Sequence, residues 1–214
     1  MASNEILSSL GLDQLIAEDR FGHDEVGTLT DPTGARVVFA PPQLINGMRH
    51  VLEGENAGAW PAIMKSSGHV CGQKIARHLD ARLAELGKPN LAALPLEACL
   101  VFIERYFALH GWGKLVLDLA HAAEHGLVIA RLEHSYFVEV LAQSGGFADP
   151  MLAGMLQGFF EHISGQSLGC EEIACARGPN GACTFVITGA ERLAAIAPHV
   201  GPETAEMLIA RMRA

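Results

Sequence analysis

The chain has 214 residues, half of them hydrophobic, with a formal charge of -9 at neutral pH. That length and apolar content allow a buried core in one domain, or in one domain with an appended arm, and exclude disorder as the default. The acidic balance excludes a phosphate backbone as partner, because nucleic-acid binding needs a basic face that displaces counterions.

No apolar run reaches the roughly 18 residues of a membrane span. The start, Met1-Ala2-Ser3-Asn4-Glu5, lacks the basic and apolar regions of a signal peptide. A soluble, cytoplasmic protein with no membrane partner is expected. Thiols stay reduced in that compartment, so the five cysteines point to metal binding or buried thiols rather than to disulfides.

Residues 1–55 read as an N-terminal arm with a small hairpin and a short helix. Strand-like runs at 25–30 and 35–40 flank Asp31-Pro32-Thr33-Gly34, which is good turn chemistry. A helix over 43–53 carries Leu44, Met48 and Leu52 on one side, and 54–58 is the best linker. A longer helix is predicted over 61–86, with Ile63, Val70, Leu79, Leu83 and Leu86 as its apolar stripe. Its Lys74, Arg77 and Arg82 are interleaved with Asp80 and Glu85, the pattern of a solvated face. A second helix spans 95–110, and Cys71 and Cys99, one in each helix, read as core thiols.

The period then changes to two. Residues 114–119 and 126–132 have the length and β-branched content of an antiparallel pair. His121-Ala122-Ala123-Glu124-His125 between them reads as a polar turn, and a short helix lies within 133–146. The clearest helix is 150–164, with Asp149 as N-cap and Pro150 as first helical residue. Gly154 and Gly158 within it suit a close approach to a sheet, a helix or a ligand. Strands follow at 168–176 and 182–188, and a helical tail, 191–214, breaks near 198–202. The order describes an α+β domain over 56–190, with an antiparallel sheet of about four strands packed by helices.

Three of the five cysteines, Cys170, Cys175 and Cys183, crowd one segment. A hairpin turning at Gly178-Pro179-Asn180-Gly181 brings Cys175 and Cys183 face to face, and Glu172 supplies a carboxylate beside them. That is a divalent metal site or, failing that, a set of buried thiols. Other chemistry fails on context. The Gly165-Gln166-Ser167-Leu168-Gly169 spacing follows a helix and enters a strand, opposite to a nucleophile elbow. The histidine pair lacks the His-Glu-x-x-His order, and no phosphate loop or dinucleotide fingerprint occurs.

Asp149, Gly154, Gly158, Phe160, Gly165, Glu172, Cys175, Gly181, Cys183 and Phe185 together resemble the closing motif of the 4-vinyl reductase domain family, as do Gly111-Trp112-Gly113-Lys114 and Glu133-His134-Ser135 upstream. The resemblance covers residues 60–190 and is strongest in the last third. It implies an α+β fold akin to trafficking-complex subunits of the TRAPP type, a homodimer, and an apolar pocket between helices and sheet. The family includes sensor domains of phenol- and toluene-responsive activators, hydrocarbon-binding proteins and an accessory protein of bacteriochlorophyll synthesis.

In the sensor members a zinc ion is held by an early cysteine, by the Glu of Glu-x-x-Cys and by two later cysteines. This carries over to Glu172, Cys175 and Cys183 as ligands. The fourth position falls on Asp149, where the family usually has cysteine. Cys170 is the other candidate, because it lies two residues from Glu172 on one strand face. The family's Gly-Arg is Gly165-Gln166 here. A closed, fully protein-ligated zinc site is structural. A pocket for a small hydrophobic or aromatic molecule is expected among Phe102, Tyr106, Trp112, Tyr136, Phe137, Phe159 and Phe160, with His134 or His110 meeting a polar group of the ligand. The expected function is a stand-alone sensor or carrier without assigned catalytic residues. An enzyme or accessory factor of tetrapyrrole or one-carbon metabolism is the alternative, and the reductase name alone does not establish activity.

Overall fold

The computed structural model describes residues 3–17, 20–141, 146–177 and 181–213. In chain order the elements are α1 (Ser3–Leu10), the two-residue strands β1 (Gly22–His23), β2 (Leu29–Thr30) and β3 (Arg36–Val37), then α2 (Pro42–Glu55), α3 (Ala59–Glu85) and α4 (Leu96–Leu109). Next come β4 (Lys114–Asp118), the one-turn α5 (Ala122–His125), β5 (Val128–Glu133), α6 (Tyr136–Val140) and α7 (Pro150–Ser164). Strands β6 (Gly169–Ala174) and β7 (Ala182–Thr188) precede α8 (Ala190–Ile196) and α9 (Ala205–Arg213). The fold is α+β. Its main sheet is antiparallel in the order β4-β5-β7-β6, as the two predicted strand pairs required.

Strand β7 shows why both sheet faces are covered. Cys183, Phe185 and Ile187 enter the larger apolar cluster with α3, α4 and α7, whereas Val186 joins Ile129, Ile173, Leu193, Ile196 and Leu208 in a second one. Alternation along a strand sends successive side chains to opposite faces. The tail helices α8 and α9 thus close the face that α4 and α7 leave open.

Helices α3 and α7 meet through glycines. A Cβ added at Gly68 or Gly72 would collide with the Met151 or Met155 carbonyl, and one at Gly154 or Gly158 with the backbone of Lys65 or His69. The close approach inferred for Gly154 and Gly158 is therefore to a partner helix. The predicted stripe on α3 needs correction: Ile63 and Val70 are 41% and 48% exposed. The buried face is Trp60, Met64, Gly68, Gly72, Ala76, Leu79 and Leu83, because small residues admit α7 where large ones cannot.

The expected N-terminal hairpin forms, with shorter strands, and β1 adds a third strand to it. Asp31 Oδ1 accepts from the Thr33 and Ala35 amides and the Thr33 hydroxyl, closing the turn. Helix α1, which the sequence reading did not anticipate, leads into Leu12 and Leu15, and with Leu7 these sit in the larger cluster. On α2 it is Ile45 and Leu52 that pack inward, while Leu44 and Met48 are about half exposed, contrary to the predicted Leu44/Met48/Leu52 face. His121 caps and His125 ends the single turn α5, where a non-helical turn was expected. Residues 142–145 and the turn at 178–180 lie outside the described residues. No helix among the described residues is long and apolar enough to cross a membrane.

Candidate metal centre and apolar groove

The β6–β7 hairpin gathers the first three donors. A bulge between Glu172 and Ala174 shifts the register of β6, and Cys175 follows immediately. On β7, Cys183 stands opposite Leu132 of β5. The ligand atoms of Glu172, Cys175 and Cys183 all lie within 4.8 Å of one another, with the two sulfurs 4.0 Å apart. The Ala176 amide also donates to Cys183 Sγ at 3.3 Å.

Asp149 adjoins this set. It occupies the N-cap position of α7, yet its side chain makes no capping bond, contrary to the predicted role. Its Oδ1 accepts the Ser135 hydroxyl at 2.6 Å, and its backbone amide donates to Glu172 Oε2 at 2.8 Å. Asp149 is fully buried and Glu172 nearly so. Asp149 Oδ2 and Glu172 Oε1 have no hydrogen-bond partner among the described residues. Unsatisfied buried oxygens are rare and costly. Cys170, by contrast, is sealed in the core opposite Ile187, outside the converging trio.

The electrostatics are those of crowded acids. Burial, then the neighbouring Asp149, pushes the Glu172 carboxyl up to about 9. Burial also raises Asp149, against the opposing pull of the Cys183 thiol and the Ser135 hydroxyl. The hydrogen bond from Cys183 lowers Cys175 to about 5, and Cys183, as its donor, goes up. Such a cluster holds protons that a dication would displace, so binding there is coupled to proton release. The two sulfurs and the Glu172 carboxylate form a set of three donors whose chemistry fits a divalent ion such as zinc, and Asp149 adjoins that set without belonging to it.

A separate groove of about 340 Å³ opens between the segment before α4, the C-terminal end of α7 and the sheet. Leu91, Leu94, Leu96, Phe160, Ile163 and Ile187 form much of its wall. Its polar groups already have partners: Ser164 donates to the Phe160 carbonyl and Cys99 to the Leu91 carbonyl.

The aromatic residues singled out from the sequence separate into three groups. Phe102 stacks on Tyr106 at 6.3 Å, and Tyr106 lies 3.9 Å from His110, whose Nε2 meets Asp31 Oδ2. Trp112 stacks on Phe137 and meets Tyr136 edge-on. Phe159 and Phe160 pack edge to face, and Phe160 reaches the groove. His134 is exposed, with a left-handed φ of 55°. The aliphatic wall at 91–96 was missed because Leu91 and Leu94 lie between the two predicted helices, where a short connection shows no periodicity.

No family model matches the sequence, and no curated protein matches it. Among solved structures, the phenol-responsive sensory domain of the transcription activator PoxR, crystallised with phenol, aligns at a TM-score of 0.64 and 16% identity. That alignment covers 89% of this chain and 91% of the other. A vinyl-4-reductase family protein from Methanocaldococcus jannaschii aligns at a TM-score of 0.47 and 14% identity, over 88% and 98% of the two chains. The likeness to the sensory domain shows a shared fold, the one that the motif resemblance implied.

Proposed function

We propose that this chain is a cytoplasmic sensor or carrier that binds a small hydrophobic molecule, and that Glu172, Cys175 and Cys183 hold a structural zinc ion. The apolar groove carries the first half of this reading. Among the described residues its wall offers no uncommitted side-chain hydrogen-bonding group, so a neutral aromatic or aliphatic molecule fits it better than a charged one. A single ring burying about 200 Å² gains roughly 5 kcal/mol from burial before association costs. Affinity is therefore expected between micromolar and millimolar. The shared fold with a domain crystallised with phenol supports the same reading. The homodimer that the resemblance implies would cover the apolar Leu44, Met48 and Val51 that α2 leaves exposed.

The test is calorimetric titration of the purified protein with toluene and phenol, beside native mass spectrometry for zinc and subunit number. Wild type is expected to bind toluene, and Ile163→Trp, which fills the groove, to bind at least tenfold more weakly with an unchanged melting temperature. Equal binding by the variant would remove the groove from the proposal. A metal-free monomer would remove the zinc and the dimer.

A further inference from the structure

We infer that the fourth donor of the metal centre is an oxygen, Asp149 Oδ2, and that Ser135 is the residue that positions it, giving a set of two sulfurs and two oxygens. This rests on the zinc reading above and goes further, because it fixes the donor set and names a positioning residue outside it.

Four observations converge on Asp149. It stands where an aspartate ordinarily caps a helix, but its side chain accepts no bond from the amides of α7, so capping does not account for it. Its carboxylate is fully buried, which costs several kcal/mol unless charge or hydrogen bonds compensate. One oxygen is spoken for by the Ser135 hydroxyl, and the other has no hydrogen-bond partner among the described residues. Its own backbone amide holds Glu172 Oε2, so the two carboxylates are tied together with one bare oxygen each.

Ser135 is built for this role. It is 3% exposed, and its Oγ accepts the Val138 amide at 3.3 Å at the start of α6 while donating to Asp149 at 2.6 Å. The hydroxyl is thereby fixed from both sides, and it holds one carboxylate oxygen while the other stays unpartnered among the described residues. This is how outer hydrogen bonds orient metal-binding carboxylates. Arg177 donates to the Leu141 and Gly146 carbonyls at 2.6 and 3.1 Å, ahead of Asp149 in the chain. Cys170 has no comparable arrangement. Replacing a thiolate by a carboxylate hardens the site, so it favours zinc and cobalt(II) over softer, thiophilic ions.

Cobalt(II) titration of the full chain reads the number of thiolates directly through the sulfur-to-metal charge-transfer band. Wild type is expected to show two, Asp149→Cys about 1.5 times that intensity, and Cys170→Ala no change. Ser135→Ala is expected to weaken cobalt(II) affinity 10- to 100-fold while keeping the two-thiolate band at saturation, and Ser135→Thr to restore it. If Asp149→Cys does not fold by circular dichroism, Asp149→Asn decides, with a loss of affinity of at least tenfold expected. An unchanged band in a folded Asp149→Cys, unchanged affinity in Asp149→Asn, or a halved band in Cys170→Ala would overturn the assignment while leaving the metal centre standing. Wild type showing no thiolate band, or Cys175→Ser keeping it undiminished, would overturn the metal centre itself.

Discussion

Asp31 has two kinds of partner. Its Oδ1 closes a local turn, and its Oδ2 meets His110 of α4 at 3.0 Å, so one carboxylate both shapes the N-terminal hairpin and fastens it to the core. His78 of α3 adds a contact to the Thr33 carbonyl. Burial raises the Asp31 pKa, but hydrogen bonds from His110, Thr33 and Ala35 outweigh it and hold the group below its ordinary value. A depressed folded pKa means that the stabilisation is fully present above about pH 4. It is lost as the pH falls through the lower folded value. Asp31→Asn is therefore expected to cost about 1–3 kcal/mol at neutral pH, measured by urea denaturation, and the gap from wild type should narrow between pH 5 and pH 3. A gap independent of pH would mean that the charge contributes nothing. The turn was legible in Asp31-Pro32-Thr33-Gly34. Its anchorage to residues 78 and 110 was not, since tertiary pairing leaves no local signature.

Helices α3 and α7 set two effects against each other. In an exposed helix, exchanging glycine for alanine gains about 1 kcal/mol of helix propensity. Here the added methyl meets a carbonyl of the facing helix, and overpacking of this kind costs about 3 kcal/mol when backbone must move. Gly72→Ala and Gly154→Ala are each expected to lower the denaturation midpoint, whereas Gly47→Ala on α2, whose Cβ would enter open space, should not. Raised midpoints for the first two would show that the helices simply separate. Helix α7 was read to its exact ends because Asp149-Pro150 and Gly165 punctuate an apolar run. The packing face of α3 was misread because its signal is a spacing of small residues, and periodicity weighted by hydrophobic bulk looks elsewhere. The metal centre shows the same division. Glu172, Cys175 and Cys183 were visible as a spacing, while Ser135 became visible only when the chain from 135 to 149 brought the two side chains together.

At the scale of the whole molecule, the tail decides whether the sheet is a two-layer or a three-layer structure. Helices α8 and α9 form the helical tail expected over 191–214, whose packing the sequence left open. They contribute Leu193, Ile196, Leu208 and Met212 to a cluster whose other half is the outer face of β5, β6 and β7. Ending the chain at Gly189 would uncover Leu127, Ile129, Ile173 and Val186, each nearly fully buried in the intact protein. Four such side chains, at about 1.5–3 kcal/mol each, approach the whole stability of a typical domain. The truncated protein is thus expected to be insoluble or to lose its cooperative melt. Leu208→Ala, a milder lesion, is expected to cost about 2–5 kcal/mol, with amide exchange quickening first in β6, against which both tail helices pack. Glu172 and Cys175, two of the proposed zinc ligands, sit at the end of that same strand, so if zinc is held there, loosening the tail should also raise the rate at which a chelator removes it. A soluble truncated chain with an unchanged melting temperature would return the tail to the status of an arm, and leave the second face of the sheet to be covered in another way.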